Sequence, residues 1–518
     1  MRFGKVATVC LLTVSMLVSS VVVIPENRRA SAFTASNASD SMNSFINVFY
    51  DSSAKYFYTN SDHQIQQHAH GPDNGLYTDF WWGAQLWETV MDAYERTNST
   101  VYRNLIDDIY TGFNQKVPNM MVNKFNDDLG WWALACLRAY ELTGTVEYLN
   151  RGTFLFEKIF DEWDNSYGGG IWWRRDIHTP GATDAQKNMA TNAPMVITAV
   201  KLYNAYNDVN FLNKAKQIYN WIQSKLVTAT KINDHVEGTG AGTIKDWDFS
   251  YNYGTYLGAA LSLYKATGTA SYLNNANWAA QYVIDKMTSA KTLMYEGEND
   301  GAGFKMIFAR NLNRLRVEAG QSQYLTFLQQ NATQAYNHRR LSDGIIGSDW
   351  SRDTGSSYIQ SLAAAAGASL LQLTPPDNYT GYIAGNGVYE AENAVKKLNN
   401  GGGLINESVY SGYNSRGYVG GWNTNNTAII FYVNQNSAST KAVTFRYAAG
   451  AGNASRYVKV NGVNVSNNLA FNSTGGWGNW NTVTVNIPLL AGSNVIELGY
   501  NSGLGNSNFL NVDSMYGL

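Results

Sequence analysis

The sequence predicts a two-part chain, an all-α toroid of paired helices followed by an all-β sandwich of the jelly-roll kind. Three observations predict it: a helix-end phrase that recurs through the first two thirds, an abrupt change of composition after Leu373, and two-residue alternation of apolar side chains beyond Val388. A length of 518 residues exceeds what one hydrophobic core usually serves, so two cores are expected.

The chain opens on Arg2 and Lys5, an apolar run from Val6 to Ile24, and the small residues Ala30-Ser31-Ala32. That order of charge, apolar segment and small-residue site reads as an export signal over residues 1–32, with the mature, extracellular chain starting near Phe33. Thr8, Thr13, Ser15, Ser19 and Ser20 interrupt the apolar run, which favours a cleaved signal over a retained anchor. Cys10 falls in this segment, which leaves Cys136 alone and excludes an internal disulfide. Trp132, Ala133, Ala135 and Leu137 surround Cys136 in sequence, so an inert buried thiol is expected there.

Residues 33–373 carry the repeat. The phrases Ala93-Tyr94-Glu95-Arg96-Thr97, Ala139-Tyr140-Glu141-Leu142-Thr143-Gly144, Leu202-Tyr203-Asn204-Ala205-Tyr206 and Leu263-Tyr264-Lys265-Ala266-Thr267-Gly268 are one helix end used again and again. After each comes a short polar turn, then an apolar pair opening the next helix: Val101-Tyr102, Tyr148-Leu149, Phe211-Leu212 and Tyr272-Leu273. Spacings of roughly 46 to 63 residues hold one hairpin and a variable loop, so this stretch accommodates about six hairpins. Six hairpins close into an (α/α)6 toroid or stack into an open superhelix. The long loops at Gly168-Gly169-Gly170, Glu237 to Gly242 and Glu296 to Gly301 favour the closed ring, with a cleft where the inner helices begin.

Thr374-Pro375-Pro376-Asp377-Asn378 stops the helical pattern, and residues 374–387 read as a linker. The runs Ile429 to Val433, Val443 to Tyr447, Val483 to Ile487 and Val495 to Leu498 then predict the strands of a sandwich over residues 388–518. Asn461-Gly462 between Arg456 to Val460 and Val463 to Val465 is the strongest hairpin signal in the chain.

Lys plus Arg number 38 and Asp plus Glu 40, a net charge of -2 that provides no field for nucleic acid or an anionic membrane. A neutral partner is expected, and a monomeric protein. The 15 Trp and 34 Tyr exceed what cores alone need, and flat rings with polar tips suit the faces of sugars.

Within that setting, Asn126-Asp127-Asp128-Leu129-Gly130-Trp131-Trp132 stands out. Leu129, Trp132, Ala133, Cys136, Leu137 and Tyr140 follow helical spacing, which puts both aspartates in the first turn or at its cap. One Asp there is ordinary, because its oxygens satisfy free amides and meet the positive end of the helix dipole. Two are not, since only one can cap. Neighbouring Cβ atoms lie about 5.5 Å apart, which matches the roughly 5 to 5.5 Å carboxyl separation of retaining glycosidases. The dipole is expected to lower both pKa values and mutual repulsion to keep one carboxyl protonated, so one site would supply a nucleophile and an acid. Asp107-Asp108, flanked by Leu105-Ile106 and Ile109-Tyr110, reads as a solvated helix face. His68 and His70 lack companions for a metal and read as a surface loop.

Asn126 to Trp132, Gly168 to Trp173, Lys187-Asn188-Met189-Ala190-Thr191-Asn192-Ala193-Pro194, Phe249 to Gly254 and Phe304 to Arg310 together resemble glycoside hydrolase family 76 over most of residues 40–370. That family contains endo-α-1,6-mannanases. The resemblance implies a retaining (α/α)6 enzyme that needs no catalytic cofactor, with Asp127 as nucleophile, Asp128 as acid/base and an α-mannan as substrate. Trp131, Trp172 and Trp173 are candidates for stacking on mannose, the last two after three glycines that would let backbone approach a ligand. Asn192, Tyr251 and Asn252 offer neutral hydrogen bonds to hydroxyls, and Lys305 or Arg310 would orient a carboxylate or bind O2 or O3. Met306 departs from the family stretch, where a smaller residue is expected.

Tyr389-Glu390-Ala391-Glu392, Gly475 to Trp480 and Asn508 to Met515 resemble carbohydrate-binding modules of families 6 and 35. This implies a structural calcium on Glu390, Glu392 and Asp513, and a sugar pocket at Tyr418, Trp480 and Asn511. Rival readings are a transglycosylase on the same linkage, a non-catalytic glycan-binding or adhesion protein, and chemistry on uronides, which would call for more basic residues than this Asn and Trp set.

Overall fold

The computed structural model describes residues 34–374, except 98, and 388–518, except 398, 400–402, 415, 416 and 436. The expected export signal and nearly all of the expected linker lie outside the described residues.

Twelve helices of 13 to 18 residues, counted among the described residues, build the first part. The inner ones are α2 (Phe80–Thr97), α4 (Asn126–Thr143), α6 (Met189–Tyr206), α8 (Ser250–Thr267), α10 (Gly301–Glu318) and α12 (Ser361–Leu373). The outer ones are α1 (Ala35–Phe49), α3 (Thr100–Lys116), α5 (Val146–Phe160), α7 (Val209–Lys225), α9 (Ala270–Lys286) and α11 (Leu325–Asn337). Each inner helix packs on the next, and α12 returns to α2, so the ring is closed. Five of the about six expected pairs are successive hairpins. The sixth is made by the two ends of the domain, because α1 packs on α12. That seam is held by Arg96, which donates to Gln372 Oε1 at 2.8 Å and Ser39 Oγ at 2.9 Å, and by Gln372 Nε2 donating to Ala38 O at 2.8 Å.

Inner helices are buried on nearly every side, whereas outer helices such as α5 bury one stripe, Tyr148, Leu149, Gly152, Leu155, Phe156 and Ile159. The repeated helix ends stop at residues with positive φ: Gly144 at 72°, Asn207 at 54° and Gly268 at 69°. Cys136 is fully buried, as its neighbours predict, and Asp107 and Asp108 sit on outer helix α3 in ion pairs with Arg103 and Lys55.

The second part is two packed antiparallel sheets. One has the order Ile405–Glu407, Tyr418–Gly420, Asn511–Tyr516, Ser439–Ala448, Asn481–Leu489, with Val388–Glu390 also on Asn511–Tyr516. The other runs Val463–Phe471, Ala454–Val460, Gly492–Tyr500, Thr427–Gln435, Val395–Lys397. Asn461 (φ 51°) and Gly462 (φ 81°) form the predicted hairpin turn, both central residues being left-handed.

Gly254 sets how closely two inner helices approach. A Cβ there would stand 2.6 Å from Phe308 Cα, which is backbone and has no room to yield. Gly254→Ala is therefore expected to lower stability by about 1–3 kcal/mol through forced separation of α8 and α10, read by urea unfolding with an unchanged m-value.

Candidate active site

A cleft of about 1440 Å³ opens where the inner helices begin. Its walls come from the starts of α2, α4, α6, α8 and α10 and the loops before them, so the positive dipole ends of several helices face one space. Seven carboxylates line it: Asp79, Asp127, Asp128, Asp234 and Asp300, together with Asp184 and Glu237, which are paired with Arg174 and Lys245. Between them stand Trp81, Trp131, Trp173, Phe249, Tyr251 and Phe304.

Asp127 and Asp128 occupy the first turn of α4. The strand-like segment Ile171 to Trp173 holds that turn in place: Asn126 N donates to Trp173 O at 2.7 Å and Asn126 Nδ2 to Trp172 O at 2.8 Å. Asp127 Oδ2 accepts from Trp173 Nε1 at 2.8 Å, and its Oδ1 accepts from the Asp128 amide at 3.0 Å. Asp128 Oδ2 accepts from Asn123 Nδ2 at 2.7 Å. Burial pushes the Asp127 carboxyl up to about 7, against the opposing pull of those hydrogen bonds. Burial, then the charges of Asp127, Asp79 and Asp300, push Asp128 well above the carboxylate range. The expectation that the dipole lowers both values is corrected, because loss of water in this walled site outweighs it. Asp127 accepts two hydrogen bonds and Asp128 one, and Asp128 is the more strongly raised of the two.

Sequence reasoning missed the rest of the acidic wall. His68, read from the sequence as surface, is buried, donates or accepts at 2.6 Å with Asp79 Oδ2, and stacks 4.0 Å from Trp82. Asp300 Oδ1 accepts from Trp81 Nε1 at 3.1 Å and Trp82 Nε1 at 2.9 Å. Asp234 contacts His235 Nδ1 at 2.6 Å and accepts from Tyr251 Oη. The one signal available was position, since Asp79 and Asp300 immediately precede inner helices.

Of the predicted sugar contacts, Trp131, Trp173 and Tyr251 line the cleft. Others lie elsewhere. Trp172 is 1% exposed and donates through Nε1 to Asp164 at 2.9 Å. Asn192 is buried and clamps Ile171, accepting from its N at 2.8 Å and donating to its O at 3.0 Å. Asn252 is buried behind Asp234, to which its Nδ2 donates at 3.2 Å. Lys305 is buried against Ser348 O and lies 4.3 Å over the Trp350 ring. Arg310 is enclosed in the barrel with Asp92 at 2.9 Å, Glu88 at 3.3 Å and Gln85 at 2.8 Å. Gly170, expected to admit a ligand, instead admits the Trp221 ring, 2.6 Å from where its Cβ would be. Met306 packs in the core, with Thr89 Oγ1 at 3.5 Å from its sulfur.

In the sandwich, Trp480 is half-buried, while Tyr418 and Asn511 are buried behind it, Tyr418 with its ring 5.2 Å from Trp480. Tyr410 and Trp477, which sequence reasoning did not single out, stack at 6.1 Å nearby. Of the expected calcium residues, Glu390, Glu392 and Asp513 are all buried, and Asp513 has one oxygen on the Asn414 amide at 2.8 Å and the other on Arg446 at 2.6 Å. Among the described residues no group of three or more His, Cys, Asp or Glu side chains is placed to hold a metal.

The family model described as glycosyl hydrolase family 76 matches residues 40–377. The chain belongs to that family. Residues 397–516 match the carbohydrate binding module of family 6, so this family 76 chain carries such a module at its C-terminal end. The chain is 28% identical to the alpha-1,6-mannanase of Salegentibacter sp. HEL1_6, with a TM-score of 0.59 over 65% of this chain and 98% of that one. An inactive variant of that mannanase, changed to asparagine at two consecutive aspartates, was solved with alpha-1,6-mannotriose. A mannan endo-1,6-alpha-mannosidase of Candida albicans is 23% identical over 292 residues, 50% of this chain and 64% of its own length. This chain thus spans less than two thirds of the curated fungal relatives' length.

Arg310 separates a binding role from a packing role. Arg310→Met leaves the buried Asp92 carboxylate short of one of its two guanidinium partners, and a loss of about 3–5 kcal/mol is expected. Chemical unfolding measures the loss, and affinity of the folded protein for α-1,6-mannooligosaccharides stays as in the parent.

Proposed function

We propose that the chain is a secreted, retaining endo-α-1,6-mannanase whose sandwich holds it on its glycan. The observation that carries this reading is the adjacent Asp127 and Asp128 pair in an aromatic cleft, with Asp128 the better proton holder. Asp127 Oδ attacks the anomeric carbon as the bond to the leaving O6 breaks, and Asp128 delivers its proton to that oxygen. Asp128, now a carboxylate, takes a proton from water, whose oxygen displaces Asp127 and restores both groups. Trp131, Trp173 and Tyr251 supply the ring faces and hydroxyl that hold the sugars.

Charge narrows the substrate. The cleft's lysines, Lys116 and Lys124, are paired with Asp73 and Asp176, so the carboxylates that stay ionised set a negative field that disfavours an anionic chain. A neutral glycan fits, and action on uronides does not. The module adds residence on an insoluble polymer, because a second contact on one chain raises the effective concentration of the first.

Asp127→Asn removes the nucleophile and is expected to cut kcat on the order of 10⁴-fold while leaving glycan binding in place. Sizing of the products from linear α-1,6-mannan, with and without an added acceptor sugar, separates hydrolysis from transfer. Parent protein that binds mannan but releases no reducing ends would instead make this a glycan-binding protein.

The pH profile provides a separate check. Turnover needs Asp127 ionised and Asp128 protonated, so the acid limb follows Asp127, at about 7, and the alkaline limb lies above it. Asp300 raises both groups by its charge. Asp300→Asn keeps an oxygen for the two indoles and removes the charge, so both limbs of kcat/KM against pH are expected to move to lower pH.

A further inference from the structure

The cleft occupies one end of the barrel; the other end is where the sandwich sits. Ile405–Glu407 is the edge strand of one sheet and Val395–Lys397 the edge strand of the other. These two edges face the barrel, the first against α4 and the second against α6. An exposed sheet edge is a standing risk of unwanted pairing, and covering it with another element removes that risk. The left-handed caps at the ends of α4 and α8 are part of the contact: Ile405 Cγ2 lies 3.4 Å from the Cβ position of Gly144, and Val495 Cγ2 lies 3.7 Å from that of Gly268.

A chamber of about 190 Å³ at the contact reaches into the barrel as far as Trp131 and Ile307, which also line the cleft, and carries charge where barrel and sandwich meet. From the barrel come Glu141 paired with Lys201, and Glu318 paired with Lys265 and with Arg314 at 2.9 Å. From the sandwich come Glu392, Asn406 and Lys396, whose Nζ donates to Glu392 O at 3.2 Å. Asn406 Nδ2 donates to the same carbonyl at 3.4 Å, so the residues of both edge strands are tied together at the contact. The barrel's charges here are paired with one another, so covering this surface strands none of them.

We propose that the sandwich is the fixed floor of the toroid, docked by both sheet edges on the C-terminal ends of α4, α6 and α8, so that the two parts unfold as one cooperative body. The functional consequence concerns where sugar is held. Helix α4 separates floor from cleft by its 18 residues, roughly 27 Å, and the residues lining the cleft lie between Gln67 and Ile307. The module therefore adds nothing to the cleft wall, and grips a different stretch of polymer from the one being cut.

Calorimetry of the full chain tests this, alongside a full chain carrying Ile405→Asp and Lys396→Glu at the contact. One transition in the parent, and in the variant either a split into two or a midpoint lower by at least about 3 °C, is expected. Hydrogen exchange is expected to quicken in the variant at residues 140–144 and to stay unchanged at residues 126–130, with activity on α-1,6-mannotetraose retained. Two transitions in the parent, or a variant with the parent's midpoint and exchange pattern, would overturn the proposal. Should the double variant fail to fold, Ile405→Ala is read by the same exchange criterion.

Discussion

The start of α4 is held by its neighbour's backbone, and the chemistry of the cleft depends on that attachment. Asn126 uses its amide and its side chain to bind the carbonyls of Trp173 and Trp172, and Asn192 in turn clamps Ile171 in the same segment. Asp127 and Asp128 follow directly, so their carboxylates are aimed before any substrate arrives. Preorganisation of this kind places charge without a reorganisation cost at the moment of reaction. It also explains why the tryptophan pair is split in purpose: the Trp173 indole holds Asp127, whereas the Trp172 indole is anchored to Asp164 away from the cleft.

Electrostatic competition then decides the protonation states. Asp79, Asp127, Asp128, Asp234 and Asp300 gather where the positive ends of the inner helices face the cleft, and a solvated site of that kind would keep all of them ionised. Walling by Trp81, Trp131, Trp173 and Phe304 removes water, and burial wins over dipole and hydrogen bonds at Asp127 and Asp128. Asp127 retains an indole and an amide as donors and is raised less than its neighbour. Two chemically identical side chains acquire different proton affinities through the groups around them.

Much of this was legible in the sequence. The recurrent helix ends at Thr97, Thr143, Tyr206 and Thr267, the turn at Asn461-Gly462 and the start of α4 are local signals, and local signals survive in one dimension. The placement of Asn192, Asn252, Lys305 and Arg310 did not read correctly, for a common reason. Polar residues in a helical ring face either the cleft or the seams between inner helices, and periodicity cannot tell those faces apart when a helix is buried all round. Arg310 meets Asp92, 218 positions away, and His68 finds its place only because Asp79 and Trp82 come to it.

What the sequence by itself determined is the kind of element at each stretch and the presence of paired acids at a helix start, because turn residues, apolar period and capping chemistry act over a few neighbouring residues. Ring closure by α1 and α12, the assembly of Asp79, Asp234 and Asp300 around the pair, and the guanidinium on Asp513 were decided by the tertiary structure alone. Each depends on groups far apart in the chain coming together where access of water is reduced, and burial, which shifts the energy of a charge there, is a property of the folded whole.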